Sequence, residues 1–93
     1  MADYVVEAYL SSAREGELEH AAARARVAAR ELTEAGVPVR HVRSVYLRGE
    51  ETCFHFIEAP SEEAVRTLLT RARLDFERLG PVVTAEAGKG GTE

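Results

Sequence analysis

The sequence has few of the residues that cross-link or anchor a chain. It contains one cysteine, Cys53, so no disulfide can form within the chain, and a reducing, cytoplasmic setting is expected. It has no tryptophan, one methionine and no apolar run of about 18 residues, which predicts that it does not cross a membrane. Its first residues, MADYVVEAYL, lack a basic segment before the apolar ones, so a signal peptide is not expected.

Positive charge is also scarce. The chain contains 12 basic and 16 acidic residues, which gives a net charge of −4. Because nucleic acid is bound through a basic surface, this balance argues against a nucleic-acid partner. The 93 residues are 45% apolar and 30% charged, as in ordinary folded domains. We predict a single domain over residues 1–87 and a flexible glycine-rich tail, GKGGTE, over 88–93.

The first third of the chain predicts a strand and then a helix. Residues 3–10 alternate, and one set of alternate residues is apolar and should face the core. That set is Tyr4, Val6, Ala8 and Leu10. The alanine-rich segment 12–36 has helical spacing, with Ser12 and Glu15 as a capping box and Gly36 as a stop.

The remainder predicts two strands, a helix and a last strand. Residues 38–48 and 51–58 form a hairpin in which Gly49 supplies the permissive turn position. Ser61 caps the second helix, and a strand over 81–87 ends the pattern. The order β-α-β-β-α-β predicts an α+β, ferredoxin-like sandwich. Its four strands form an antiparallel sheet with strands 1 and 3 in the centre, and both helices cover one face.

Polar residues on this sheet are the candidate site. On the third strand we expect Phe54 and Phe56 to face the helices, which places Cys53 and His55 on the open face. On the second strand Val42 and Tyr46 should point inward. The residues predicted to share the open face are Glu7, Tyr9, His41, Arg43, Cys53 and His55.

Three functions compete for that surface. Imidazole, thiolate and carboxylate bind Ni²⁺, Cu²⁺ or Zn²⁺, and Cys53 and His55 alternate on one side of a strand. Alternatively, the face holds a small-molecule or cofactor-independent catalytic pocket, with His55 as a base, Arg43 as an anion partner and Tyr9 beside them. Thirdly, it is an apolar dimer interface, structural or regulatory, without a ligand.

The stretch RSVYLRGEETCFHFIEAPSEEAVRTLLTRARLDFERLGPVV, residues 43–83, resembles a family of small, mostly bacterial proteins described as nickel-binding or of unknown function. Its most specific piece is TCFHFIEAPSEEAV, and VVEAYL with the alanine-rich helix resembles the family's opening. Many relatives have cysteine where this chain has His55, and RAG where this chain reads RAR at 71–73. The resemblance implies a ferredoxin-like dimer and, for at least one member, Ni²⁺ binding.

The leading hypothesis is therefore a small cytoplasmic homodimer that binds Ni²⁺ or a similar divalent ion. His55 and Cys53 are the first candidate ligands, and His41 and Glu7 are the next. No catalytic residue is assigned, and an enzymatic role stays open. The alternatives are the small-molecule pocket with Tyr9 and Arg43, and the dimer without a ligand.

Overall fold

The computed structural model describes residues 1–85, so the predicted tail at 88–93 and the last two residues of the predicted fourth strand lie outside it. Six main elements follow one another along this part of the chain. They are β1 (Ala2–Tyr9), α1 (Glu17–Glu34), β2 (Arg40–Leu47), β3 (Thr52–Ala59), α2 (Glu62–Ala72) and β4 (Arg78–Val82). Single turns of 3₁₀ helix at Ser12–Arg14 and Arg48–Glu50 precede α1 and β3.

The sheet confirms the predicted ferredoxin-like α+β architecture. Its strand order is β2-β3-β1-β4, every neighbouring pair is antiparallel, and β1 and β3 are central. The alternate residues Tyr4, Val6 and Ala8 of β1 are buried, as the pattern predicts. No helix among residues 1–85 is long and apolar enough to cross a membrane.

The core between helices and sheet is built largely from small residues. α1 buries four alanines and one leucine, namely Ala22, Ala25, Ala28, Ala29 and Leu32. α2 contributes Ala64, Val65, Leu68, Leu69 and Ala72. Because an alanine side chain is short, α1 can lie close to the strands.

The side-chain directions on β3 are opposite to the prediction. Cys53 pairs with Ala8 and His55 pairs with Val6, and directly paired residues project to the same side of a sheet. Cys53 and His55 therefore lie on the helix side with the buried face of β1. Phe54 and Phe56 occupy the open face instead and are half-buried. The expectation that the two phenylalanines pack under the helices was wrong.

A bulge in β2 reverses His41 as well. His41 pairs with Ile57, but Arg43 pairs with Phe56, so the register shifts between them and Val42 is the extra residue. His41 is buried on the helix side rather than exposed on the open face. Strict alternation from one end of the strand could not give this result.

Residues 10–16 fold differently from the predicted capping box. α1 begins at Glu17, and the hydroxyl of Ser11, not Ser12, accepts the N–H of Ala13. Glu15 forms an ion pair with Arg48 at 2.7 Å instead of turning back to cap the helix.

The remaining differences lie at the turns. In the β2–β3 connection the left-handed residue is Glu51, with φ of 49°, and not Gly49. β4 pairs its five residues with Asp3–Glu7, and therefore begins three residues earlier than predicted.

Candidate functional site

A chain of polar side chains runs under the helices. The Nε2 atom of His41 lies 2.8 Å from Oγ of Ser44, and that oxygen lies 2.6 Å from Nδ1 of His55. On the other side of the ring, Nε2 of His55 lies 3.7 Å from Sγ of Cys53. His55 is 2% exposed and Cys53 is 4% exposed. Two adjacent strands thus hold four polar groups in contact within an otherwise apolar layer.

Burial keeps these groups neutral. It lowers the pKa of His55 to about 4, with smaller contributions from His41 and from the positive charge of Arg24. Burial also lowers the pKa of His41 and raises the pKa of the Cys53 thiol. At neutral pH the site therefore holds an imidazole and a thiol rather than an imidazolium–thiolate pair. A nucleophilic cysteine would need the charged pair, so the resting geometry does not favour one.

Cys53 and His55 line a pocket of about 250 Å³ between the sheet and the first half of α1. Its walls come from the end of β1, the turn that follows it, α1, and the segment after α2. The apolar lining residues are Ala8, Leu10, Ala21 and Leu74. Ligand pockets for drug-sized molecules have volumes of roughly 300–1,000 Å³, so this pocket suits a compact molecule.

Charged side chains surround the pocket. Arg14 and Glu17 form a two-pronged ion pair, at 2.8 Å and 3.1 Å. Arg24, Arg73 and Asp75 also line it. Nε of Arg24 donates to the carbonyl oxygen of Ala72 at 3.0 Å, which ties α1 to the end of α2.

The six predicted site residues are divided between the two faces of the sheet. His41, Cys53 and His55 come together on the helix side. Glu7 lies on the open face, where its carboxylate accepts a hydrogen bond from Nη2 of Arg78 at 3.0 Å. Arg43, paired with Phe56, is also on the open face. Tyr9 is 62% exposed at the end of β1 and contributes to the lining of the pocket.

The residues present do not complete a metal site. The separation of 3.7 Å between Sγ of Cys53 and Nε2 of His55 suits two ligands of one tetrahedral ion. His41, however, contacts Ser44 on the opposite side of the His55 ring, and Glu7 is on the other face of the sheet. Within residues 1–85 no three His, Cys, Asp or Glu side chains are grouped so that they could hold an ion.

The sequence patterns did not identify three residues of this region as part of a site. Ser44 shares the inward side of β2 with Tyr46 by simple alternation, but no sequence pattern shows that it bridges two histidines, because the β2–β3 register sets its pairing with His55 and the bulge brings His41 to the same side. Arg24 is spaced from Ala21, Ala25 and Ala28 so that it borders the buried stripe of α1, which is a weak signal. Arg73 occupies the position after α2 where glycine is common, and that anomaly is visible in the sequence.

The fold and the pocket define a ferredoxin-like α+β protein with a small cleft beneath its alanine-rich helix. No protein-family model matches the sequence, and no curated protein matches it. Among solved structures, the crystal structure of SCO4226 from Streptomyces coelicolor A3(2) is similar, with a TM-score of 0.74 and 16% sequence identity. The match covers 91% of this chain and 100% of that one. At this identity the similarity establishes the fold.

Proposed function

We propose that this protein binds a compact small molecule in the pocket under α1, with His55 and Cys53 in its wall. The observation that carries the proposal is the placement of two nearly inaccessible polar side chains at the edge of a cleft. Nδ1 of His55 is held by Ser44, His55 lines the pocket, and among residues 1–85 the hydrogen-bonding contact of its Nε2 atom is the thiol of Cys53 at 3.7 Å. A thiol is a weak hydrogen-bonding partner, and a ligand can replace it at little cost.

Amide NMR on the folded protein tests this proposal with four compact probes: imidazole, phenol, benzamide and benzoate. At least one probe should shift the amide signals of Ala8, Ala21 and His55 in a saturable way. Shifts confined to the open face, or no saturable shift with any probe, would contradict the proposal.

Two leucine variants at neighbouring positions sharpen the test. Cys53→Leu places a larger side chain in the pocket and should abolish the shifts. Phe54→Leu changes the next residue, which faces the opposite side of β3, and should leave binding intact. Methylthiolation of Cys53 with methyl methanethiosulfonate fills the same space without a substitution, so a folding defect in Cys53→Leu would not hide the result.

A second candidate function is the binding of Ni²⁺ or a similar ion by Cys53 and His55. Their donor atoms are 3.7 Å apart, which is the specific observation in its favour. A second protomer, water or a small ligand would have to supply the remaining ligands. Because a metal needs neutral imidazole and thiolate, affinity should fall as the pH is lowered.

Calorimetric titration with NiCl₂ tests the metal hypothesis. Saturable binding at micromolar Ni²⁺ that disappears in the Cys53→Ala, His55→Ala double variant supports it. Binding that persists in that variant places the ion elsewhere, and no heat of binding in the parent protein refutes it.

The proposed assembly is a cytoplasmic homodimer formed through the open sheet face. That face carries Val5, Tyr9, Val45, Leu47, Phe54 and Phe56, of which Tyr9, Val45 and Leu47 are exposed. An adjoining set of apolar side chains of this kind is a common feature of interfaces. The free thiol of Cys53 fits a reducing compartment.

A further inference from the structure

Arg24 places a guanidinium group at the pocket in a fixed orientation. Its Nε atom donates to the carbonyl oxygen of Ala72, one of the last carbonyls of α2, at 3.0 Å. The two terminal nitrogens of the guanidinium are not used in that bond. The charge of Arg24 also reaches the pocket wall, because it contributes to lowering the pKa of His55. Arg24 is therefore positioned to attract a negative group.

Arg73 has an unfavourable backbone conformation. It ends α2 with φ of 59° and ψ of 46°, the left-handed region in which a Cβ atom is crowded and glycine is preferred. Arg73 lines the same pocket as Arg24. Backbone strain of this kind is concentrated at binding and active sites, so the strained backbone of Arg73 at the edge of a pocket points to a role for its side chain.

The charges around the pocket are not balanced. Glu17 neutralises Arg14, whereas neither Arg24 nor Arg73 forms an ion pair within residues 1–85. Asp75 is the other acidic lining residue, so the lining has one net positive charge in a chain whose net charge is −4. The apolar residues Ala8 and Leu74 complete a surface that suits a ligand with one anionic end and one apolar end.

We propose that the ligand of this pocket is a compact organic anion whose carboxylate is held by Arg24 and Arg73. The inference rests on the proposed small-molecule function and names the ligand class. Guanidinium groups bind carboxylates through paired, charge-assisted hydrogen bonds. The apolar part of the ligand lies against Ala8, Ala21 and Leu74, next to His55.

Three probes of nearly equal size and different charge test the ligand class: benzoate, benzamide and benzylamine. Binding is measured by amide NMR at low ionic strength, since salt screens exposed arginines. Benzoate should bind about tenfold or more tightly than the other two, because a charge-assisted bond replaces a neutral one. Its shifts should fall on Ala8, Ala21 and Leu74.

Charge-removing variants locate the anion. Arg24→Gln should raise the Kd for benzoate about fivefold or more and leave the Kd for benzamide unchanged. Arg30→Gln is the matched control, since Arg30 is exposed on the same helix and does not line the pocket. Arg73→Gly should weaken benzoate binding as Arg24→Gln does, and the backbone accepts glycine there without strain.

The outcomes separate the two proposals. If benzamide or benzylamine shifts the pocket residues as strongly as benzoate, the anion assignment is wrong and the pocket function stands. An equal loss of benzoate affinity in Arg30→Gln also refutes the anion assignment, because the effect would then come from the overall charge of the protein. If none of the three probes perturbs the pocket residues, the anion assignment is wrong. The small-molecule function is then decided by the titrations with imidazole and phenol.

Discussion

The hydroxyl of Ser44 lies 2.6 Å from Nδ1 of His55, the shortest contact in the buried polar chain. The same oxygen lies 2.8 Å from Nε2 of His41. A hydroxyl has one hydrogen, so it donates to one ring and accepts from the other. The two neutral histidines must therefore hold the same tautomer, both protonated on Nε2 or both on Nδ1, and a change in one requires a change in the other.

Replacing Ser44 tests this bridge. Ser44→Ala removes the partner of two buried ring nitrogens, and each unsatisfied buried group costs about 1–3 kcal/mol. We expect the free energy of unfolding in urea to fall by about 2 kcal/mol. Arg43→Ala alters the neighbouring exposed residue on the open face and should change it by less than about 0.5 kcal/mol. Equal stability of Ser44→Ala and the parent protein would show that the bridge contributes nothing.

Acid should destabilise the protein through His55. Its pKa in the folded state is about 4, below the value of about 6.5 in an unfolded chain. Between these values the unfolded state binds a proton that the folded state does not, so stability present above pH 6.5 is lost as the pH falls towards 4. The loss from His55 should be roughly 3 kcal/mol, and His41 should add to it.

Urea unfolding at several pH values between 7 and 4 measures this loss. His55→Gln should flatten the profile, because it removes the titrating group. His20→Asn, which replaces an exposed histidine of α1, is the matched control substitution. A parent profile that is flat over this range would contradict the burial of a neutral His55.

Arg73 and Arg71 should respond to glycine in opposite directions. Arg73→Gly relieves a left-handed residue and should stabilise the fold by about 0.5–1 kcal/mol, after the greater freedom of glycine in the unfolded chain is included. Arg71 lies inside α2, where glycine costs about 1 kcal/mol. Thermal or urea unfolding of the two variants gives the signs, and destabilisation by Arg73→Gly would mean that its side chain supports the fold.

The proposed dimer can be tested through Phe56. Phe56→Glu places a charge on the open face opposite Val5 and should convert the dimer to a monomer in sedimentation equilibrium. Val83→Glu changes a residue that is 99% exposed after β4 and serves as the control. A parent protein that sediments as a monomer at high concentration would remove the dimer hypothesis.

The thiol of Cys53 should react slowly in the folded protein. It is buried, and burial raises its pKa, so little thiolate is available. Reaction with the bulky disulfide DTNB should be complete in urea and much slower under native conditions. Reaction at the native protein as fast as at the unfolded one would show that Cys53 is open to solvent.

The sequence predicted the order of elements and most of the core because those features are local. Alternation in β1, helical spacing in α1 and α2, and the cap at Ser61 each depend on neighbours in the chain. Their combination restricts the topology to the ferredoxin-like arrangement. The same local patterns identified Cys53, His55 and His41 as unusual residues, and these three do lie together.

The side of the sheet on which they lie required the tertiary structure. β3 has apolar residues on both of its faces, so hydrophobicity favoured burying Phe54 and Phe56. The pairing of Val6 with His55 decided otherwise, and the short alanines of α1 leave space suited to a cysteine and an imidazole.

The sequence by itself thus determined the fold, the buried face of β1 and the identity of the residues that are able to bind a ligand or react. Only the tertiary structure decided the inward direction of His55, its link through Ser44 to His41, and the meeting of Arg24 with Arg73 at one pocket. These relationships depend on strand register, a bulge and the contact between two helices. Each joins residues distant in the chain, and no local pattern encodes them.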